Sequence, residues 1–198
     1  MCGVPVECVR FWSFYRRQNN TIRPEKPISD EMDGHKLENV FYTFCKTYQD
    51  LRLFMEVAKQ HSTDGSGKVV NFPSETDHIT MFIKFYDPAI QRLEYLGSIH
   101  VKPILKGTDL VPILNQLKGL PANTALKIFE EIKPGMVELL KLKNNLKASE
   151  LTSGDILCFQ VDNAREYVHP ILIVTTDHLT VVNPSLNSQM RPNTIHSF

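Results

Sequence analysis

The sequence predicts an α+β fold, most clearly written between Met81 and Val161. Three observations carry this. A run of alternating apolar residues stops at Asp87-Pro88 and resumes at Arg92. An apolar stripe of helical period follows from Leu110 to Leu117. Two further β-like runs come after it, separated by a polar connection.

The first strand covers Met81 to Tyr86, with Met81, Ile83 and Phe85 on one face because strand side chains alternate. Asp87-Pro88 starts a turn, since proline fixes φ and gives no N–H to a ladder. The return strand runs from Arg92 to Val101, where Leu93 and Tyr95 alternate with Arg92 and Glu94. A helix is expected next, with Thr108 as its N-cap and Asp109 at the positive end of its dipole. Leu110, Ile113, Leu114 and Leu117 stand at i, i+3, i+4 and i+7 and form one apolar stripe. Pro112 falls in the first turn, Gly119 supplies the stop and Pro121 lies just beyond. A third strand is expected over Ala125 to Ile132. A last one covers Asp155 to Val161, entered by the turn Thr152-Ser153-Gly154. Strand, turn, strand, helix, strand, loop, strand is the order of the ubiquitin-like β-grasp. Residues 79–162 are therefore expected to form one complete β-grasp domain, of a kind that works by being bound.

The segment before it, residues 1–58, holds strand-like runs at Val9 to Phe14 and Asp50 to Val57. The stretch from Val40 to Tyr48 is apolar without a clean period. Arg16, Arg17, Arg23 and Lys26 read as a solvated loop, with Trp12 and Phe14 as strand core. So few elements make a poor core on their own. The expectation is a partial second ubiquitin-like domain, less stable than the complete one. Residues 59–78, containing Ser62-Thr63-Asp64-Gly65-Ser66-Gly67, read as a flexible linker. Residues 163–198 read as a divergent, partly disordered tail.

Composition narrows the function classes. Lys plus Arg equals Asp plus Glu, at 22 each, so no net field favours nucleic acid or membrane. The apolar run from Ile171 to Val182 is interrupted by Asp177-His178 and falls short of the ~20 residues a span needs. The four cysteines, Cys2, Cys8, Cys45 and Cys158, contain no C-x-x-C pair. A reducing, intracellular setting is expected. Asn19-Asn20-Thr21 matches a glycosylation acceptor, but such a setting argues against its use. The seven histidines are scattered without metal-ligand spacing, so no metal and no cofactor is expected.

Several motifs then keep a characteristic order. These are Phe85-Tyr86-Asp87-Pro88, Arg92-Leu93-Glu94-Tyr95 with Gly97, Glu130-Glu131-Ile132-Lys133-Pro134, and Gly154-Asp155-Ile156 with Phe159-Gln160. Upstream stand Arg10-Phe11-Trp12, Thr21 with Arg23-Pro24, and Glu31-Met32-Asp33-Gly34. Over residues 9–162 the chain resembles the tandem ubiquitin-like region of the herpesvirus-associated ubiquitin-specific protease (HAUSP) family of deubiquitinases. The resemblance implies a non-catalytic region that recruits substrates or regulators, in the nucleus and cytoplasm. It also implies that the chain begins inside the first of two ubiquitin-like domains.

In that family an acidic run before the last strand, D-E-L-x-D-G-D, receives lysines from basic peptides. The matching run here is Ser149-Glu150-Leu151-Thr152-Ser153-Gly154-Asp155. The partner-binding residues that the resemblance implies are thus Glu150 and Asp155. Ser149 and Ser153 stand where the family has acids, which weakens lysine capture. No catalytic residue is expected, because the family's cysteine and histidine boxes are absent and no Cys–His pair is arranged for nucleophilic attack. Cys158, beside Leu157 and Phe159, reads as a small buried hydrophobe. Glu130 and Glu131 are strand neighbours on opposite faces, so they cannot serve as paired carboxylates. The expected partners are proteins: lysine-rich segments, bound by the acidic turn or a sheet surface, and a ubiquitin-specific protease catalytic domain. The alternatives are a free-standing ubiquitin-like adaptor with no linked protease, a conjugatable modifier, and a hydrolase built on Cys45 or Cys158. The modifier lacks the Gly-Gly end that conjugation requires.

Overall fold

The structure, a computed structural model, describes residues 4–5, 8–17, 22–28, 32, 34–44, 50–58, 72–133 and 136–162. The expected tail, residues 59–71 of the expected linker, Cys2, Cys45 and the Asn19-Asn20-Thr21 acceptor lie outside them. The elements, in chain order, are β1 (Val9–Arg16), β2 (Ile22–Pro27), α1 (Leu37–Phe44), β3 (Arg52–Val57), β4 (Ile79–Asp87), β5 (Arg92–Val101), α2 (Gly107–Lys118), β6 (Leu126–Lys133), β7 (Met136–Leu139) and β8 (Ile156–Val161).

β4 to β8 build a five-stranded sheet in the order β5-β4-β8-β6-β7. The first and last strands lie side by side and parallel, with Phe82 opposite Ile156 and Ile83 opposite Leu157. The remaining pairings are antiparallel. A hairpin, a crossing helix and a return strand laid parallel to the first make the ubiquitin-like β-grasp. Alternation puts Met81, Ile83, Ile128, Leu157 and Phe159 in one core with Leu110 and Leu114 of α2, all of them fully buried. Ile113 and Leu117 flank that core half-buried. The helix stops at Gly119, whose φ of 78° is open to glycine at little cost. Its start differs from expectation. Lys106, not Thr108, is the N-cap, because the chain is still extended there and the Asp109 carboxylate reaches back to accept the Lys106 N–H at 2.8 Å.

The N-terminal segment is richer than its sequence suggested. It forms a three-stranded sheet, β2-β1-β3, and a helix, α1. β2 occupies the stretch expected to be a loop. Pro24 and Pro27 disguise it, yet an edge strand tolerates proline because one of its sides needs no ladder bonds. α1 carries Leu37, Val40, Phe41 and Phe44 at i, i+3, i+4 and i+7, a stripe that a window opened at Val40 misses.

The small sheet does not stand apart. It lies against the face of the large sheet opposite α2. Trp12 is wholly buried there, edge-on to Phe82 with ring centroids 5.2 Å apart, and Ile156 completes the cluster. Phe14 and Phe54 meet the same Phe82 ring. The part of the sheet surface around Phe82 is thus occupied by the chain's own β1 and β3. The end of the expected linker is also placed. The Phe72 ring lies 4.6 Å beneath the Arg10 guanidinium, and Glu75 pairs with Arg10 at 3.4 Å.

A buried carboxylate sits in the seam. Glu56 of β3 is 5% exposed and accepts from Arg10 at 2.8 Å, from the Trp12 indole N–H at 3.0 Å, and from Ser98 and His100 of β5. Burial raises its pKa. The bonds from His100 and Ser98 and the Arg10 charge together outweigh this and hold it down at about 2.

Candidate functional site: an acidic turn clamped by arginines

The turn into β8 is built by its own polar groups. Ser153 Oγ accepts the Thr80 N–H at 3.0 Å, and the Gly154 N–H donates to the Thr80 carbonyl at 2.9 Å. Ser153, which stands where the resemblance expects an acid, therefore stitches the turn to the start of β4. Asp155 Oδ2 accepts the Thr152 N–H at 2.7 Å and its hydroxyl at 3.2 Å. Asp155 Oδ1 pairs with Arg23 at 2.8 Å, and both side chains are largely buried.

Arg23 does more than neutralise Asp155. Its other terminal nitrogen donates to the carbonyls of Glu131 and Ile132 at 3.0 and 2.9 Å. Arg17 adds a bond to the Ile132 carbonyl at 2.8 Å. Arg23 of β2 and Arg17, just past β1, thus hold the end of β6, where its pairing with β7 is irregular. Lys26 lies 5.1 Å from the Phe44 ring centroid. The expectation of a solvated loop is overturned for Arg17 and Arg23. A pairing that spans 132 positions leaves no local trace in the sequence.

The two expected binding residues are brought to one turn but differ in availability. Asp155 is engaged from both oxygens. Glu150 is exposed, at a φ of 60°, with its N–H donating to the Lys147 carbonyl at 3.0 Å. Two further acids, which sequence reading did not assign to this site, join them. Glu130 and Glu138 are direct cross-strand partners on β6 and β7. Burial raises the Glu130 pKa, and the Asp155 charge raises it further. Arg23 opposes both, while Glu138 and Glu150 add to the rise. Glu130, paired across the strands with Glu138, thus feels the charges of Asp155, Glu138 and Glu150 together, and the four acids form one acidic field around it. The period of β6 separates Glu130 from Glu131, as expected. Glu131 turns to the other face, where it pairs with Lys84 at 2.7 Å.

Nucleophilic chemistry finds no support at the described cysteines. Cys158 is buried, 3.8 Å from the Glu131 carboxylate. Burial first, and then the Glu131 charge, push its thiol up to about 12, so the reactive thiolate is scarce near neutrality. Cys8 is buried as well. Among the described residues no group of three His, Cys, Asp or Glu could hold a metal ion.

Residues 9–191 match the family described as the ICP0-binding domain of ubiquitin-specific protease 7. Ubiquitin carboxyl-terminal hydrolase 5 of Schizosaccharomyces pombe is 35% identical over 158 residues, covering 80% of this chain and 14% of that protein. Ubiquitin C-terminal hydrolase 13 of Arabidopsis thaliana is 32% identical over 164 residues, with the same coverage. Among solved structures, the C-terminal ubiquitin-like domain of mouse tubulin-specific chaperone e aligns with 16% identity and a TM-score of 0.34, over 46% of this chain and 94% of that one. The chain spans about one seventh of the length of these two hydrolases, 14% in each case. The chain belongs to the family of the ICP0-binding domain of ubiquitin-specific protease 7, the ubiquitin-like region of the ubiquitin-specific proteases.

Proposed function

We propose that this chain is a non-catalytic, partner-recruiting and regulatory region of a deubiquitinase, and that it takes lysine-rich segments at the acidic turn. The observation that carries this is the field formed by Glu130, Glu138, Glu150 and Asp155. Exposed Glu150 and Glu138 offer carboxylates to solvent, while Asp155, bound to Arg23 and Thr152, holds the turn in shape. Glu138 restores part of the charge that Ser149 and Ser153 do not supply. The family's name, a domain that binds ICP0, supports a protein-binding role. Residues 1–58 are read as part of a second ubiquitin-like domain, and a ubiquitin-specific protease catalytic domain is a proposed partner in the same chain or another.

Titration of a lysine-rich peptide is the test. Glu150→Gln and Glu138→Gln should each weaken binding by about two- to fivefold, the measure of one exposed ion pair. Added salt should weaken it further, since both sites lie at the surface. Binding that ignores both substitutions and salt would place recognition elsewhere. A ubiquitin-based thiol probe should leave the same sample unlabelled; labelling that disappears on replacing a single cysteine would overturn the non-catalytic reading.

A further inference from the structure

A second charged surface lies next to the acidic turn and has the opposite sign. The segment leading into the first turn of α2, residues 102–108, runs antiparallel to residues 141–147 after β7. Four backbone bonds of 2.9–3.0 Å join them: Leu146 to Leu105, Lys147 to Pro103, Gly107 to Asn144 and Thr108 to Leu142. Lys106 and Asn145 form a β-bridge within this ladder. The two segments approach so closely at Gly107 that a Cβ there would come 2.7 Å from the Leu142 Cα. The ladder is therefore stiff, and it gathers Lys102, Lys106, Lys141, Lys143 and Lys147, all exposed.

Among the described residues none of these five is in an ion pair. The described lysine pairs belong to Lys84, Lys118 and Lys127. The carboxylates within residues 102–109 and 141–150 are Asp109 and Glu150. Asp109 is engaged by the Lys106 N–H, and Glu150 stands at the far margin. Between Lys102 and Lys106 protrudes Ile104, 75% exposed. A single exposed aliphatic residue is ordinary. One flanked by Lys102 and Lys106, with Lys147 bonded to the neighbouring Pro103 across a fixed ladder, has the layout of a small interface, an apolar anchor beside a charged rim.

We propose that this lysine ladder is a second docking surface, for a short acidic peptide segment bearing an aliphatic side chain that rests on Ile104. Nucleic acid is disfavoured. The two segments contain no aromatic residue for base stacking and no arginine for bidentate phosphate contacts. A long polyanion would also run onto Glu150 and the acidic field beyond it. A membrane surface is disfavoured because Ile104 is the one strongly exposed large apolar residue of the two segments, too little to insert. The acidic turn and the lysine ladder would let the chain hold two partner segments of opposite charge side by side.

The whole chain is titrated with a short fluorescein-labelled peptide of glutamates around one central leucine. Saturable binding is expected, weakening as salt rises. The paired reversal Lys143→Glu/Lys147→Glu should weaken it by about tenfold or more, and the neutral pair Lys143→Gln/Lys147→Gln by about threefold. Ile104→Ser should weaken the leucine-bearing peptide about threefold and leave an all-glutamate peptide unchanged. Far-UV circular dichroism checks that each variant remains folded. Equal binding by the reversed pair, or tighter binding of a single-stranded oligonucleotide or of phosphatidylserine vesicles than of the peptide, overturns the proposal. So does concentration-dependent self-association that the same reversals abolish, which would assign the ladder to a second copy's acidic turn.

Discussion

Trp12→Ala should destabilise the protein by about 3–5 kcal/mol, the range for removing a large buried aromatic. The side chain is fully buried, meets Phe82 edge-on and donates its indole N–H to Glu56. Truncation leaves a cavity between the two sheets and removes one of the donors to a buried charge. Trp12→Phe separates the two effects. It keeps a ring against Phe82 and loses the donor, so it should cost less, about 1–3 kcal/mol. Urea denaturation followed by circular dichroism measures both. A loss below about 1 kcal/mol for the alanine variant would mean that the small sheet contributes little to the folded state.

The wild-type protein offers a second reading of the same seam. Trp12 is the sole tryptophan, so fluorescence reports only on this interface. Its emission should be blue-shifted and should redden in the transition that melts the β-grasp sheet. The segment 1–58 was expected to be the weaker part, on the ground that its own core is thin. The structure gives that segment a different source of stability. Trp12, Phe14 and Phe54 use Phe82 and Ile156 of the large sheet as the other half of their core. Reddening well before the loss of circular dichroism would show that the small sheet opens alone.

The parts of this fold that were legible in the sequence are those whose signal is local. β4, β5, β6 and β8 are apolar runs bounded by turn residues, α2 has its stripe and glycine stop, and the observed bounds fall within about two residues of those expected. Elements were missed where a local rule is relaxed by position in the sheet. β2 carries two prolines because it is an edge. β7 is only four residues long and mostly exposed, so it lacks the apolar alternation of its neighbours. The acidic turn was visible at Glu150 and Asp155, which lie within one short run of the sequence. Glu130 and Glu138 join it only through strand pairing, and Asp155 is drawn inward only by an arginine from the other sheet. Glu56 is the extreme case. In sequence it is an acidic residue between Met55 and Val57, and only the closure of two sheets makes it a buried charge with four partner side chains.

Glu56 also sets a definite dependence on pH. Its folded pKa is held near 2, against an ordinary value of 4.5. A group with a depressed folded pKa contributes stability above its unfolded pKa and loses it as pH falls through the folded one. The contribution should be complete above about pH 5 and fade between about pH 4.5 and pH 2, with a size on the order of 3 kcal/mol. Glu56→Gln tests this with little change of shape. The amide keeps one acceptor but turns an N–H₂ toward groups that are themselves donors: Arg10 and the Trp12 indole on one side, Ser98 and His100 on the other. At neutral pH the variant should be less stable by roughly 3 kcal/mol, since Arg10 loses its buried partner. As the pH falls toward 2 the two proteins should converge, because protonation gives the wild type the same defect. Denaturant midpoints measured across that range decide the matter. A constant difference at every pH would mean that Glu56 acts by packing, and that its charge does not hold the two sheets together.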